Sequence, residues 1–95
     1  MARLIKDRSR SPKHTRVYME FFGYDIPEDV VSEVSGEPAT DIHHIDARGM
    51  GGSKTKDVIE NLVALTRDEH DRAERDVEYN KYVKQIHLNK INGKQ

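Results

Sequence analysis

The stretch from Asp41 to Glu74, D-I-H-H-I-D-A-R-G-M-G-G-S-K-T-K-D-V-I-E-N-L-V-A-L-T-R-D-E-H-D-R-A-E, constrains this chain more than any other part of it. Ile42 and Ile45 are β-branched and are flanked by Pro38 on one side and a Gly-rich loop on the other, which predicts a strand over residues 40–46. After the loop, Leu62, Val63, Ala64 and Leu65 form an apolar run short enough for a buried strand, with one turn before it over residues 57–60. Thr66 and Glu69 then have the spacing of a capping box, in which each side chain takes the backbone N–H of the other and a helix begins. The order is strand, loop, strand, helix. Three of the five histidines lie in it, His43 and His44 on the first strand and His70 on the helix.

The remaining sequence can do little without this unit. Ninety-five residues make one small domain, and with 35% of them apolar and 35% charged the core is thin. There is no cysteine, which excludes disulfides and thiolate zinc sites as staples. No apolar run approaches the roughly 20 residues of a membrane span, and no signal-peptide pattern opens the chain, so the expected location is a cytoplasm. The net charge of −1 conceals an asymmetry: residues 1–16 carry six cations against Asp7, hence +5, leaving −6 for the rest. Residues 1–16 read as a flexible basic arm suited to phosphate, and residues 17–95 as the folded domain.

Within that domain, Val17, Tyr18, Phe21 and Phe22 recur at helical spacing ahead of Gly23, predicting a short amphipathic helix over residues 17–22. Asp25, Pro27, Glu28 and Asp29 resemble a helix start, so a second helix is expected between Asp25 and Gly36. At the other end, Ala73, Val77, Val83, Ile86 and Ile91 form an imperfect apolar stripe, expected to pack, with a break near Asp76. The loop R-G-M-G-G-S-K-T-K fails as a phosphate-binding P-loop because Ser53 separates Gly52 from Lys54. Its Arg48, Lys54 and Lys56 are instead candidates for contact with a nucleic-acid backbone.

His70 and Glu74 lie four apart on one helical face, so a strand packed on that helix can bring His43 or His44 to the same point. Imidazole and carboxylate donors suit a first-row divalent ion. Regular alternation would send His43 and His44 to opposite faces, leaving one to bind metal and the other for a second task, whereas a bulge would turn both inward.

The succession His43-His44, Gly51-Gly52, Asn61-Leu62, Leu65 and His70 resembles the HNH endonuclease family, built on the ββα-metal unit or His-Me finger. The resemblance covers residues 40–74 and implies an α+β fold, with that core at about 40–75 between an N-terminal helix and a long C-terminal one. It also implies roles: His43 and His70 as metal ligands, His44 as general base, Asn61 holding the loop against the helix, and Asp41 as an acidic group that orients a histidine or holds a basic side chain. Glu74 occupies a position that is a histidine in colicin-type relatives, and would be a further ligand. Many members carry two C-x-x-C pairs on a structural zinc; here Ser32 and Ser35, and Thr66 and Glu69, stand at those positions. That zinc is expected to be absent, its role filled by the N- and C-terminal helices.

The implied activity is hydrolysis of DNA phosphodiester bonds with one divalent ion, Mg²⁺, Mn²⁺, Ni²⁺ or Zn²⁺, and little sequence specificity, since the chain offers no base-reading module. Small chains of this type resemble phage nucleases, which makes DNA-packaging proteins the partners expected by analogy. The competing expectation is a non-catalytic DNA-binding or packaging-accessory module with a structural ion.

Overall fold

The computed structural model describes residues 12–46 and 57–94. The expected arm up to residue 11 and the basic loop with Arg48, Lys54 and Lys56 lie outside the described residues. Those described form an α+β fold of three helices around a two-stranded antiparallel sheet: α1 (Lys13–Phe22), β1 (Asp41–His44), β2 (Leu62–Leu65), α2 (Arg67–Arg75) and α3 (Val77–Lys94). None of these helices is long and apolar enough to cross a membrane.

Helix α1 begins at Lys13, four residues before the expected Val17, so residues 13–16 are helical and the arm ends sooner. Pro12 explains the start: it lacks an N–H that a preceding turn would need, while its carbonyl accepts from Arg16 N–H at 3.1 Å. The helix stops where predicted. Gly23 takes φ +79°, a conformation costly for a residue with a Cβ, and Tyr24 N–H closes on Met19 O at 2.8 Å.

The helix expected between Asp25 and Gly36 does not form. Only a single 3₁₀ turn, Pro27–Asp29, follows the Asp25-Pro27 signal, and Val31 then bridges Pro38. Ser32 is the local reason: its hydroxyl accepts the N–H groups of Val34 (3.0 Å) and Ser35 (3.1 Å), a turn that competes with helix.

The two strands pair in unbroken register, Asp41 with Leu65, Ile42 with Ala64, His43 with Val63 and His44 with Leu62. Cross-strand partners share a face, so period-two alternation sorts them into two sets. Ile42 and His44 go with Leu62 and Ala64 toward α1, where Tyr18, Met19 and Val30 close one core. Asp41 and His43 go with Val63 and Leu65 toward α2 and α3, where Ala73 and Val83 close the other. Leu62, Val63 and Leu65 are fully buried, each stabilising the fold by about 1.5–3 kcal/mol as an upper estimate.

The capping box forms as predicted: Glu69 N–H donates to Thr66 Oγ1 at 3.2 Å and Thr66 N–H to Glu69 Oε1 at 2.9 Å. Glu69 Oε1 also receives the Ser32 hydroxyl at 2.6 Å, and Ser35 joins through its backbone N–H to Ser32 Oγ. Ser32, Ser35, Thr66 and Glu69 thus form one polar knot joining the turn after the 3₁₀ segment to the start of α2.

The C-terminal stripe breaks at Asp76, whose Oδ1 accepts the N–H groups of Glu78 (3.0 Å) and Tyr79 (3.2 Å) and so starts a new helix, α3. Ala73, Val83 and Ile91 are buried as expected, but Val77 is 69% exposed at the first turn of α3 and Ile86 is half-buried. The core position beside Ile86 belongs to His87, fully buried, with Nδ1 2.9 Å from both Glu33 oxygens and Nε2 2.5 Å from Ile59 O. Both ring nitrogens face acceptors, Glu33 on one side and Ile59 O on the other, and Glu33 also takes the Tyr18 hydroxyl at 2.5 Å. Burial, followed by the Glu33 charge, pushes the Tyr18 phenol far up, keeping it a donor.

Candidate metal centre

Because β1 runs without a bulge, His43 and His44 face opposite ways. His43 meets α2. Its ring is 5.0 Å from that of His70, centroid to centroid, and edge-on to it. One turn along α2, Glu74 Oε2 comes within 3.3 Å of His70 Nε2. His43, His70 and Glu74 each bring one ligand atom within 4.8 Å of the others, a set that could hold a metal ion.

The hydrogen bonds settle which His43 nitrogen is available. Asn80 Nδ2 donates to Ile45 O at 3.0 Å, which turns its Oδ1 toward His43 Nε2 at 2.9 Å. An amide oxygen only accepts, so Nε2 carries the proton and the lone pair lies on Nδ1. Nδ1 is buried and has no hydrogen-bond partner among the described residues. A buried nitrogen lone pair costs free energy unless something binds it, which is what a ligand atom requires. Burial above all, with His70 adding to it and the Asn80 bond opposing, holds the His43 imidazole below its ordinary pKa. It is therefore neutral and ready to coordinate.

His70 is oriented by the opposite arrangement. Its Nε2 faces Glu74, while Nδ1 lies 3.5 Å from Asp41 Oδ2 and, like His43 Nδ1, is buried without a hydrogen-bond partner among the described residues. Asp41 is fixed in turn by the Thr40 hydroxyl at 3.1 Å and by Arg67 Nε at 3.5 Å.

His44 lies on the α1 side. Its Nε2 is 2.7 Å from Asp57 Oδ1, and its ring is 4.9 Å from that of His14 in the first turn of α1. A carboxylate on Nε2 favours the tautomer with the proton there and the lone pair on Nδ1. His43 and His44 nonetheless border a common opening: a cleft of about 270 Å³ is lined by both, with Ile45, Ala73, Glu74, Val77 and Asn80. Exposed Val77, which does not pack in the core, forms part of this rim.

Asn61 is buried. Its Oδ1 accepts Asp46 N–H at 2.7 Å and its Nδ2 donates to Asp46 O at 3.1 Å, while its own carbonyl accepts Ile45 N–H at 2.9 Å. It fixes the chain where it leaves β1. Sequence reasoning missed Asn80, Asp57 and His14. The i, i+4 logic that found Glu74 gives no signal for partners brought in from other elements. Comparison with known protein families, curated proteins and solved structures gave no match.

Proposed function

We propose that this chain is a divalent-metal-dependent endonuclease of the HNH type, its ββα-metal unit formed by β1, β2 and α2, and that it hydrolyses DNA phosphodiester bonds. One observation carries the reading: His43, His70 and Glu74 converge from a strand and a helix while the neighbouring His44 turns away from them onto the same cleft. The donor set fits an ion, because His43 Nδ1 is a buried lone pair without a partner. The polar knot of Ser32, Ser35, Thr66 and Glu69 supports it independently. These are the positions at which the family resemblance puts zinc-binding cysteines, and the four residues join in one hydrogen-bonded cluster without thiolates.

An ion held by His43, His70 and Glu74 would polarise a phosphate and stabilise charge on the leaving oxygen. His44 Nδ1 takes the proton of the attacking water, and Asp57 keeps the ring in the tautomer with its lone pair there. Asp41 orients His70, and Asn80 orients His43. Asn61 anchors the exit of β1, from which Arg48, Lys54 and Lys56 would reach the DNA backbone. Such contacts read phosphate, not bases, so cleavage is of low specificity, and a role beside phage packaging proteins remains the expected setting.

Glu74 is 61% exposed and the cleft is open, which favours a catalytic ion over one enclosed for structure. Incubation with supercoiled plasmid and Mg²⁺, Mn²⁺, Ni²⁺ or Zn²⁺ tests the proposal. Nicking is expected to fall ~10²-fold or more in His44→Ala with metal binding at His43 and His70 retained. Unchanged nicking by that variant removes His44 from the role, and no cleavage with any of the four ions removes the activity.

A further inference from the structure

We infer a second metal site, formed by His14, His44 and Asp57, that takes a nitrogen-preferring ion such as Zn²⁺ and silences His44 as a base. The three residues come from α1, β1 and the segment before β2, and one ligand atom of each lies within 4.8 Å of the others. They are held on the α1 side of the sheet, whereas His43, His70 and Glu74 lie on the α2 side, so the two sets share no residue. Asp57 is 6% exposed and both imidazoles are half-buried, so the site lies in a partly desolvated recess where charge attraction is strong.

Two imidazoles and one carboxylate are a zinc donor set, and a poor one for Mg²⁺, which prefers oxygen and retains its water. With Zn–N and Zn–O bonds of about 2.0–2.2 Å, ligand atoms around a tetrahedral ion are roughly 3.4 Å apart. The 2.7 Å His44–Asp57 hydrogen bond has to open by roughly 0.7 Å, and the wider spacings have to close, movements within reach of side-chain rotation. The ion replaces the proton between Nε2 and Asp57. A neutral imidazole bound through Nε2 carries its proton on Nδ1, so the ring gains there what it loses at Nε2 and the Nδ1 lone pair disappears. That lone pair is the one assigned to accept the proton of water. Silencing therefore rests on the nuclease reading, but binding does not.

Zn²⁺ titration by isothermal calorimetry, with circular dichroism to verify folding, separates the two. The wild-type chain is expected to bind two equivalents, His14→Ala and Asp57→Asn one each, and His70→Ala to lose the other one. A wild-type stoichiometry that is unchanged in folded His14→Ala and Asp57→Asn overturns the site. In Mn²⁺-supported plasmid nicking, the Zn²⁺ concentration that halves the rate is expected to rise at least tenfold in His14→Ala. Equal sensitivity of the two proteins overturns the silencing. If no nicking occurs at all while two equivalents bind, the nuclease reading fails and the second site stands.

Discussion

Asn80 offers the sharpest test of how the metal site is prepared. Its amide holds His43 Nε2 at 2.9 Å and Ile45 O at 3.0 Å, and so keeps the His43 lone pair on Nδ1. Asn80→Leu keeps the approximate volume and removes both bonds. The tautomer is then free, and loss of such an orienting partner weakens metal affinity by about 10–100-fold, or ~1.4–2.7 kcal/mol. The same change leaves His43 Nε2 and Ile45 O without partners, at about 1–3 kcal/mol each if water does not reach them. At ~4–8 °C per kcal/mol for a domain of this size, the melting temperature should fall by at least several degrees. Asn80→Asp separates the effects: its carboxylate still accepts from Nε2, more strongly than the amide, but no longer donates to Ile45 O. Metal affinity is expected to be kept or raised while stability drops. Both variants are best measured by calorimetry in a His14→Ala background, so that only the His43–His70–Glu74 site is read. Wild-type affinity in folded Asn80→Leu, or equal weakening in both variants, refutes the tautomer argument.

Three further outcomes follow from the fold. His87→Ala leaves the buried Glu33 side chain, 2% exposed, with the Tyr18 hydroxyl but without its imidazole partner, and should cost ~3–5 kcal/mol in chemical denaturation; a loss below 1 kcal/mol would mean the His87–Glu33 contact contributes little. Burial raises the Glu69 pKa, but hydrogen bonds, chiefly from Ser32 and Thr66, outweigh it and hold the group below its ordinary value of 4.5. Its stabilisation is therefore complete above that value and is lost as pH falls through the lower, folded one, so the drop in melting temperature on acidification should be shallower in Glu69→Gln; identical profiles refute this. If the knot is the counterpart of a zinc site, the quadruple variant Ser32→Cys, Ser35→Cys, Thr66→Cys and Glu69→Cys should bind one additional Zn²⁺ and melt at a higher temperature with the ion than without it. Failure to bind the additional ion would leave the knot as a local helix cap and weaken the family reading.

The sequence alone determined the local parts, because each depends on neighbours a few residues apart. The strand holding His43 and His44, the buried run Leu62–Leu65, the Thr66–Glu69 capping box and the interruption at Asp76 all follow from spacing and propensity. So does the pairing of His70 with Glu74. The helix expected after Asp25 failed because the Ser32 side chain competed locally, a choice reinforced by its bond to Glu69, 37 residues away. Only the tertiary structure decided whether the strand bulged, and so which histidine met α2 and which met α1. It also supplied Asn80 to His43, Asp57 and His14 to His44, and Glu33 to His87. A tautomer, a buried charge or a ligand set depends on which atoms lie within about 3 Å after packing, and that distance is fixed by how the sheet seats against the helices, not by separation along the chain.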